Sequence, residues 1–273
     1  MIRTIFFFIN YFFWTFLLGS VSIFVGILDH SGRTIGKIVR LWAQILLRVG
    51  GIRYRVLGLE KLDPDQDYFF VGNHESAFDI LLSYAGLPYC LVSIAKKELK
   101  KVPIMGWAMV LAKHIFVDRT NYRKTMKSLE EAEISLKKYP RSVLLFPEGT
   151  RSPDGEIHRF KRGGLNLAVN VGMPVIPMTF CGTRNIMVKR GLRVHSGEIE
   201  LRLGYPIDTT LWKDEKPNSF AQVVREKVVA MKNEWLHQSL KHSLVSPTPP
   251  TNRGRRGKLK SQKPIDDKRK TRA

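Results

Sequence analysis

The chain has 273 residues, and its 45 Lys and Arg residues against 24 Asp and Glu residues give a net charge of +21 at pH 7. This length allows one substantial domain with its own apolar core, together with appendages. The positive charge favours anionic partners. Only Cys90 and Cys181 occur. Two isolated thiols argue against a disulfide framework and a thiolate metal site, and predict reduced, buried cysteines in a reducing compartment.

The N-terminal region contains an uncharged run of 24 residues, 5–28, which is rich in Phe, Ile and Leu. A run of this length is long enough to cross a bilayer as a helix. A cleaved signal peptide is disfavoured, because the run continues past Gly19 and Ser20 without a small-residue cleavage pattern. Insertion from one side of the membrane, paired with the next helix, remains an alternative to spanning.

Residues 34–49 alternate apolar and basic side chains and predict a basic amphipathic helix at a membrane interface. Residues 1–50 are therefore interpreted as a membrane anchor that faces anionic lipid. If the first helix spans, the basic residues after it outnumber Arg3 and place the main domain on the cytoplasmic side. These residues are Arg33, Lys37, Arg40, Arg48, Arg53 and Arg55.

Residues 51–240 alternate short apolar runs with helical patterns. The predicted strands are 54–57, 68–71, 89–94, 115–117, 143–146, 175–179 and 198–202. The predicted helices are 78–85, 104–111, 122–138, 164–171 and 220–240. Such alternation predicts an α/β domain with a largely parallel central sheet flanked by helices, preceded here by the N-terminal membrane helices. Reactive loops in such folds gather at the carboxyl ends of the strands.

The C-terminal stretch 241–273 contains eleven Lys or Arg residues, two Asp residues and four prolines. It has almost no large apolar side chains after Val245. We predict a disordered basic tail.

A histidine and a carboxylate, His74 and Asp79, follow the apolar run 68–71. In one regular helix, two residues five positions apart would lie about 140° apart around the axis and would not meet. If Ser76 is the N-cap and Ala77 begins the helix, Asp79 lies in the first turn and His74 can fold back toward it. Asp79 would then orient one imidazole nitrogen and leave the other free to act as a general base. A simple capping motif is the alternative, although it gives His74 no role.

Three further loops follow predicted strands and carry basic residues. Arg119 ends the segment 115–119, Arg151 lies in 146–152, and Lys161 precedes Gly163 and Gly164 at the start of a helix. Arginine forks and the free amides of a helix start suit a phosphate group. Taken singly, each loop could be an ordinary solvated turn. Their shared position after successive strands favours an anion site.

The set of motifs resembles the glycerolipid acyltransferase family, particularly the 1-acylglycerol-3-phosphate acyltransferases. Asn73, His74 and Asp79 match the first motif, N-H-x-x-x-x-D, and an apolar run closed by Asp-Arg matches at 115–119. Residues 146–152 match F-P-E-G-T-R-S without a change, and 174–177 match a proline-bracketed fourth motif. The resemblance covers about 51–207. One departure is Lys113-His114, where the family often has a glycine, which bears on acceptor preference.

The resemblance implies transfer of a fatty acyl group from an acyl thioester, acyl-CoA or acyl-ACP, to the sn-2 hydroxyl of 1-acylglycerol 3-phosphate, giving phosphatidic acid. Another lysophospholipid or glycerol 3-phosphate is the alternative acceptor. No cofactor or metal is expected, and the partners are membrane lipid and the acyl donor. His74 is the predicted general base and Asp79 its orienting partner. The predicted substrate-binding residues are Arg119, Glu148, Gly149, Thr150, Arg151 and Lys161.

Other enzyme classes fit less well. No G-x-S-x-G segment places a serine nucleophile on a sharp turn. His74-Glu75 is not followed by the second histidine of a zinc-binding H-E-x-x-H helix. A nucleic-acid-binding protein would also be basic, but much of the charge here lies in the tail and beside the membrane segment, so no nucleic-acid partner is predicted.

Overall fold

The computed structural model describes residues 1–29, 32–215 and 217–245, without the side chains of 217 and 242–245. Most of the predicted disordered tail, 246–273, lies outside the described residues. The last helix continues to Val245. The first five residues assigned to the tail are therefore helical, and the proposed boundary at 240 was too early.

Within the described residues, seven strands form one sheet in the order β1-β7-β6-β2-β5-β3-β4. In this sheet β6 and β7 pair antiparallel and the other neighbours pair parallel, which confirms the largely parallel sheet. Strands β2 to β6 consequently end at one edge of the sheet, whereas β1 and β7 end at the opposite edge. The strands are β1 (Ile52–Leu57), β2 (Phe69–Gly72), β3 (Leu91–Lys96), β4 (Ile115–Val117), β5 (Ser142–Leu145), β6 (Val175–Cys181) and β7 (Gly197–Leu203).

All predicted helices are present, with ends that differ from the prediction by up to five residues. A short helix, α7, and the 3-10 turns at Leu59–Lys61, Lys97–Lys101 and Thr210–Trp212 were not predicted. Such short segments have too few residues to show helical periodicity in a sequence. The helices are α1 (Ile2–Leu28), α2 (Arg33–Val49), α3 (Phe78–Gly86), α4 (Met105–Leu111), α5 (Tyr122–Lys138), α6 (Arg162–Val171), α7 (Thr183–Ile186) and α8 (Pro217–Val245).

The central strand β2 is buried on both faces because helices cover both sides of the sheet. Phe70 belongs to a core with Leu46 of α2 and Leu82 of α3. Its neighbours in β2 point the other way, into a second core that includes Leu136 of α5 and Val224 of α8. This explains why β2 reads as a continuous apolar run in the sequence.

Helix α1 is long and apolar enough to cross a membrane, by length and composition. It packs against the rest of the chain at both ends. Near its start, the Phe7 ring lies 5.4 Å from the Phe78 ring of α3. Near its end, Gly26 lies so close to α4 that an added Cβ would come within 2.9 Å of Leu111 Cβ. The outer face of α1 exposes large apolar side chains, including Phe12, Phe16 and Phe24.

Candidate active site

The structure brings His74 and Asp79 together. His74 follows β2, and its Nδ1 lies 2.8 Å from Asp79 Oδ2. The Asp79 side chain is fully buried, and the His74 side chain is 13% exposed. The same carboxylate oxygen accepts hydrogen bonds from the main-chain N–H groups of Glu75 and Ser76, at 2.7 and 2.8 Å. With Nδ1 bound to Asp79, Nε2 is the ring nitrogen available to take a proton from a substrate.

The predicted cap of the following helix was wrong by one residue. The N-cap of α3 is Ala77, and the helix begins at Phe78, so Asp79 is the second helical residue. The Ser76 hydroxyl accepts a 3.3 Å hydrogen bond from Phe78 N and donates to Met187 O at 2.7 Å. Ser76 therefore still stabilises the helix start, and it also ties the loop to the chain after α7.

The F-P-E-G-T-R-S segment encloses His74. The Phe146 ring stacks on the imidazole, with centroids 4.1 Å apart and planes inclined by 21°. Glu148 Oε1 accepts a 2.9 Å hydrogen bond from His74 N, and Ser152 N donates to His74 O at 2.6 Å. Three residues of one motif thus fix the ring and both main-chain polar groups of His74. Because β2 and β5 are neighbours, these two loops meet at the same edge of the sheet.

Glu148, predicted as a substrate-binding residue, makes its hydrogen bonds to the main chain. Its Oε1 accepts from His74 N, and its Oε2 accepts from His158 N at 3.4 Å. Burial raises the pKa of Glu148, and the hydrogen bonds from His74 N and His158 N partly oppose that rise. A substrate-binding role for Glu148 stays a prediction, whereas its contact with His74 is structural.

Basic side chains gather around Gly149. Arg119 follows β4, two strands away from β5, yet its Nη1 donates to Gly149 O at 2.9 Å. Gly149 has φ of +76°, a conformation that favours glycine, and an added Cβ would lie 2.9 Å from Lys161 Nζ. Lys161 is the N-cap of α6, which begins at Arg162, two residues earlier than predicted. Two cations from separate loops therefore lie beside one glycine.

The remaining predicted binding residues lie beside this group. Thr150 is exposed and Arg151 is half-buried, and Lys189 Nζ donates to Arg151 O. Asp118, just before Arg119, pairs with Lys97 at 3.3 Å. Hydrogen bonds from the Thr120 hydroxyl and amide lower the pKa of Asp118 to about 2. The binding roles of the predicted residues stay predictions. No group of three or more His, Cys, Asp or Glu side chains that could hold a metal occurs in the described ranges.

The departure at Lys113-His114 has a local structural explanation. Lys113 has φ of +62°, the left-handed conformation that glycine adopts most easily. His114 is directed into the fold, where its Nδ1 lies 2.9 Å from Ser93 Oγ and 3.1 Å from Ser93 N. The position therefore concerns the turn before β4, and these contacts give no reason to connect it with acceptor preference.

Sequence reasoning missed a buried polar group next to His74. Asn73 Nδ2 donates to Glu75 Oε1 at 2.9 Å, and Lys232 Nζ of α8 lies 2.7 Å from the same oxygen. Asn73 and Glu75 belong to the first motif, but nothing in the sequence links that motif to Lys232, 157 positions further on. An ion pair across such a separation has no local sequence signal.

A histidine held by a buried carboxylate, next to cations that suit a phosphate, can deprotonate a hydroxyl on an anionic acceptor. The sequence model of the family described as Acyltransferase matches residues 53–181, the range that holds both features. The protein is an acyltransferase.

Named relatives narrow this class. The chain is 32% identical over 207 residues to the 1-acyl-sn-glycerol-3-phosphate acyltransferase of Pseudomonas aeruginosa, covering 74% of this chain and 79% of that one. It is 36% identical over 155 residues to the enzyme of that name from Cocos nucifera, covering 57% of this chain but only 50% of the relative. The crystal structure of the 1-acyl-sn-glycerophosphate (LPA) acyltransferase PlsC from Thermotoga maritima aligns with a TM-score of 0.72 at 26% identity, covering 84% of this chain and 95% of that one. The chain belongs to the 1-acyl-sn-glycerol-3-phosphate acyltransferase family.

Proposed function

We propose that this enzyme transfers a fatty acyl group from an acyl thioester, acyl-CoA or acyl-ACP, to the sn-2 hydroxyl of 1-acylglycerol 3-phosphate, giving phosphatidic acid. The observation that carries the proposal is the 2.8 Å contact between His74 Nδ1 and the buried Asp79 carboxylate. The names of the relatives support the acceptor.

The chemistry needs a base more than it needs a nucleophilic side chain. A thioester is already activated, but an alcohol is a poor nucleophile until its proton leaves. His74 Nε2 takes the proton from the acceptor hydroxyl, whose oxygen attacks the thioester carbonyl. The tetrahedral intermediate collapses with cleavage of the C–S bond, and the departing thiolate takes the proton back from His74. Asp79 stabilises the imidazolium that forms between these steps.

The acceptor phosphate is assigned to the basic group around Gly149. Arg119 already lies 2.9 Å from Gly149 O, and Lys161 Nζ lies close to Gly149 on the side where other residues carry a Cβ. Arg151 belongs to the same loop and offers a bidentate guanidinium. The same loop contacts His74 through Glu148, so the proposed phosphate site and the proposed base are joined by one segment.

The membrane brings the enzyme to its lipid acceptor. Contacts along α1, from Thr4 Oγ1 with Val194 N to Gly26 with Leu111, favour insertion of α1 from one side over a separate span. The basic residues of α2 and β1 suit the anionic lipids of the cytoplasmic leaflet, which favours the cytoplasmic face. The membrane face is tested by labelling an exposed cysteine, introduced as Lys137→Cys, in intact spheroplasts. We expect this cysteine to react with an impermeant maleimide only after lysis. Labelling before lysis would contradict the cytoplasmic location.

The acceptor is tested with purified protein in mixed micelles. Initial rates are measured with one acyl-CoA, and separately one acyl-ACP, against 1-acylglycerol 3-phosphate, glycerol 3-phosphate and lysophosphatidylcholine. We expect the highest kcat/KM with 1-acylglycerol 3-phosphate. A higher kcat/KM with glycerol 3-phosphate or lysophosphatidylcholine overturns the proposed acceptor. Comparison of the rates with acyl-CoA and acyl-ACP identifies the preferred donor.

A further inference from the structure

A buried ion pair joins the C-terminal helix to the loop that carries His74. Lys232 Nζ of α8 lies 2.7 Å from Glu75 Oε1, and only 12% and 4% of the two side chains are exposed. Lys232 Nζ also donates to Phe180 O at the end of β6, at 3.0 Å. An ammonium group removed from water needs such partners, because its desolvation is otherwise too costly.

Asn73 extends this pair into a network between two strands. Its Nδ2 donates to Glu75 Oε1 at 2.9 Å and to Phe180 O at 3.2 Å, and its Oδ1 accepts from Phe180 N at 2.9 Å. The side chain is fully buried. The ends of β2 and β6 are thereby fixed to each other and to α8 at the residue before His74.

Glu75 is fixed through its side chain and through its main chain, and the main-chain contact is with Asp79. Its side chain bonds to Lys232 and Asn73, while its main-chain N–H donates to Asp79 Oδ2 at 2.7 Å. The same oxygen contacts His74 Nδ1. A change in the position of Glu75 therefore alters the carboxylate that orients the imidazole.

The charge of Glu75 is the reason why this network depends on Lys232. Burial raises the pKa of the Glu75 carboxyl, and the ammonium of Lys232 counteracts that rise. Buried ion pairs contribute little net stability compared with apolar packing, but loss of one partner leaves a buried charge that the surrounding chain must move to solvate. Solvation of Glu75 would require the loop at 73–76 to shift.

We propose that Lys232 is a positioning residue, which fixes Glu75 and Asn73 and through them sets the main-chain N–H groups that hold Asp79 against His74. The proposal rests on the function assigned to His74 above. Lys232 does not contact the reacting atoms. It acts from a helix outside all four motifs, so the C-terminal helix becomes part of the active-site framework.

The test compares Lys232→Met with Lys232→Met/Glu75→Gln and with the control Lys227→Met, an exposed lysine on the same helix. Rates are measured at a temperature where circular dichroism shows each variant fully folded. Misplacement of a reacting group by about 1 Å costs about 100-fold in rate. We expect a fall of this size in kcat for Lys232→Met, little change in the acceptor KM, and wild-type kinetics for Lys227→Met.

The double variant separates positioning from general destabilisation. The introduced glutamine is neutral and its carbonyl can still accept from Asn73, so we expect at least about ten-fold of the lost kcat to return, in line with relief of a buried unpaired charge. A folded Lys232→Met with kcat within about two-fold of wild type overturns the proposal, because a misplaced base should cost far more than that. A double variant that recovers no activity overturns it as well.

A second measurement does not depend on acyl transfer. In protein labelled with ¹⁵N-histidine, the Nδ1–H of His74 should give a low-field proton resonance, assigned by its loss in His74→Ala. We expect this signal to shift or broaden in Lys232→Met and to return in the double variant. An unchanged signal in Lys232→Met overturns the positioning role. Absence of acyl transfer by the wild-type protein would instead overturn the proposed function. This resonance would still test whether Lys232 positions His74 against Asp79.

Discussion

Two groups of predicted site residues lie at the same edge of the sheet and differ in how many contacts fix them. The His74–Asp79 pair is buried, and Phe146, Glu148 and Ser152 contact His74 at its ring and main chain. Arg119 and Lys161 are exposed at the surface, and they approach each other only around Gly149.

The difference in burial matches the role proposed for each group, proton transfer for the first and phosphate binding for the second. Proton transfer requires the ring nitrogen to meet a hydroxyl at hydrogen-bonding distance, so the base must be fixed in advance. A phosphate presents several equivalent oxygens to long cationic side chains, which can adjust to it. Mutations in the buried group should therefore lower kcat, whereas mutations in the exposed group should raise KM.

The largest effect is expected for His74→Ala. Loss of a general base lowers the rate by about 10² to 10⁴. We expect kcat to fall by this factor, with membrane association and the acceptor KM preserved. Initial rates at saturating acyl-CoA over a range of acceptor concentrations measure kcat and the acceptor KM, and vesicle flotation measures membrane association. Full activity in this variant would overturn the mechanism and the contrast between the two groups.

His114 shows that a partly buried histidine need not belong to the active site. Burial, with the positive charge of Arg141 nearby, lowers the pKa of His114 from 6.5 to about 4. The unfolded chain therefore binds more protons between these pH values, and stability falls as pH drops from about 6.5 to 4. This difference in pKa corresponds to about 3 kcal/mol in the free energy of unfolding.

Chemical denaturation in detergent at several pH values checks this. We expect His114→Gln, which keeps an acceptor for Ser93, to lose less stability than wild type between pH 6.5 and 4. Its kcat near neutral pH should stay close to that of wild type. Equal pH dependence in both proteins would show that His114 is not held neutral by the fold.

The predicted phosphate site is tested with Arg151→Ala, at a half-buried arginine of the same loop as Gly149. Loss of one charged hydrogen-bonding partner should raise the acceptor KM about 10- to 150-fold, since such bonds contribute about 1.5–3 kcal/mol. The acyl-CoA KM should change little. Arg159→Ala, at an exposed arginine before α6, serves as the matched control and should leave both constants unchanged. An unchanged acceptor KM in Arg151→Ala counts against the phosphate role.

The smallest effect concerns the turn before β4. A non-glycine residue in the left-handed conformation destabilises the folded protein by about 1–2 kcal/mol. Glycine removes this strain, but part of the gain is offset because glycine loses more conformational entropy on folding. Lys113→Gly should therefore stabilise the protein by about 0.5–1 kcal/mol with unchanged kinetics. Lys101→Gly, at an exposed lysine outside the left-handed region, should not stabilise it. A changed acceptor preference in Lys113→Gly would restore the link with substrate choice.

Features carried by local patterns were predicted correctly. Residues 122–138 were identified as a helix with the observed bounds, because apolar side chains recur at helical spacing. The strand 115–117 and the meeting of His74 with Asp79 were also correct. Contacts between distant segments were not predicted, as with the hydrogen bond from His74 N to Glu148. The cap of α3 was wrong by one residue, since it is Ala77.

By itself the sequence determined the α/β class, the pairing of His74 with Asp79 and the apolar N-terminal helix, because each depends on local residue patterns. Only the tertiary structure decided that β1 and β7 run against the other strands and that the F-P-E-G-T-R-S loop encloses His74. It also decided that Lys232 neutralises Glu75. Strand neighbours and buried ion pairs follow from how the whole chain covers its apolar surface and pairs its buried charges, which no short stretch of sequence specifies.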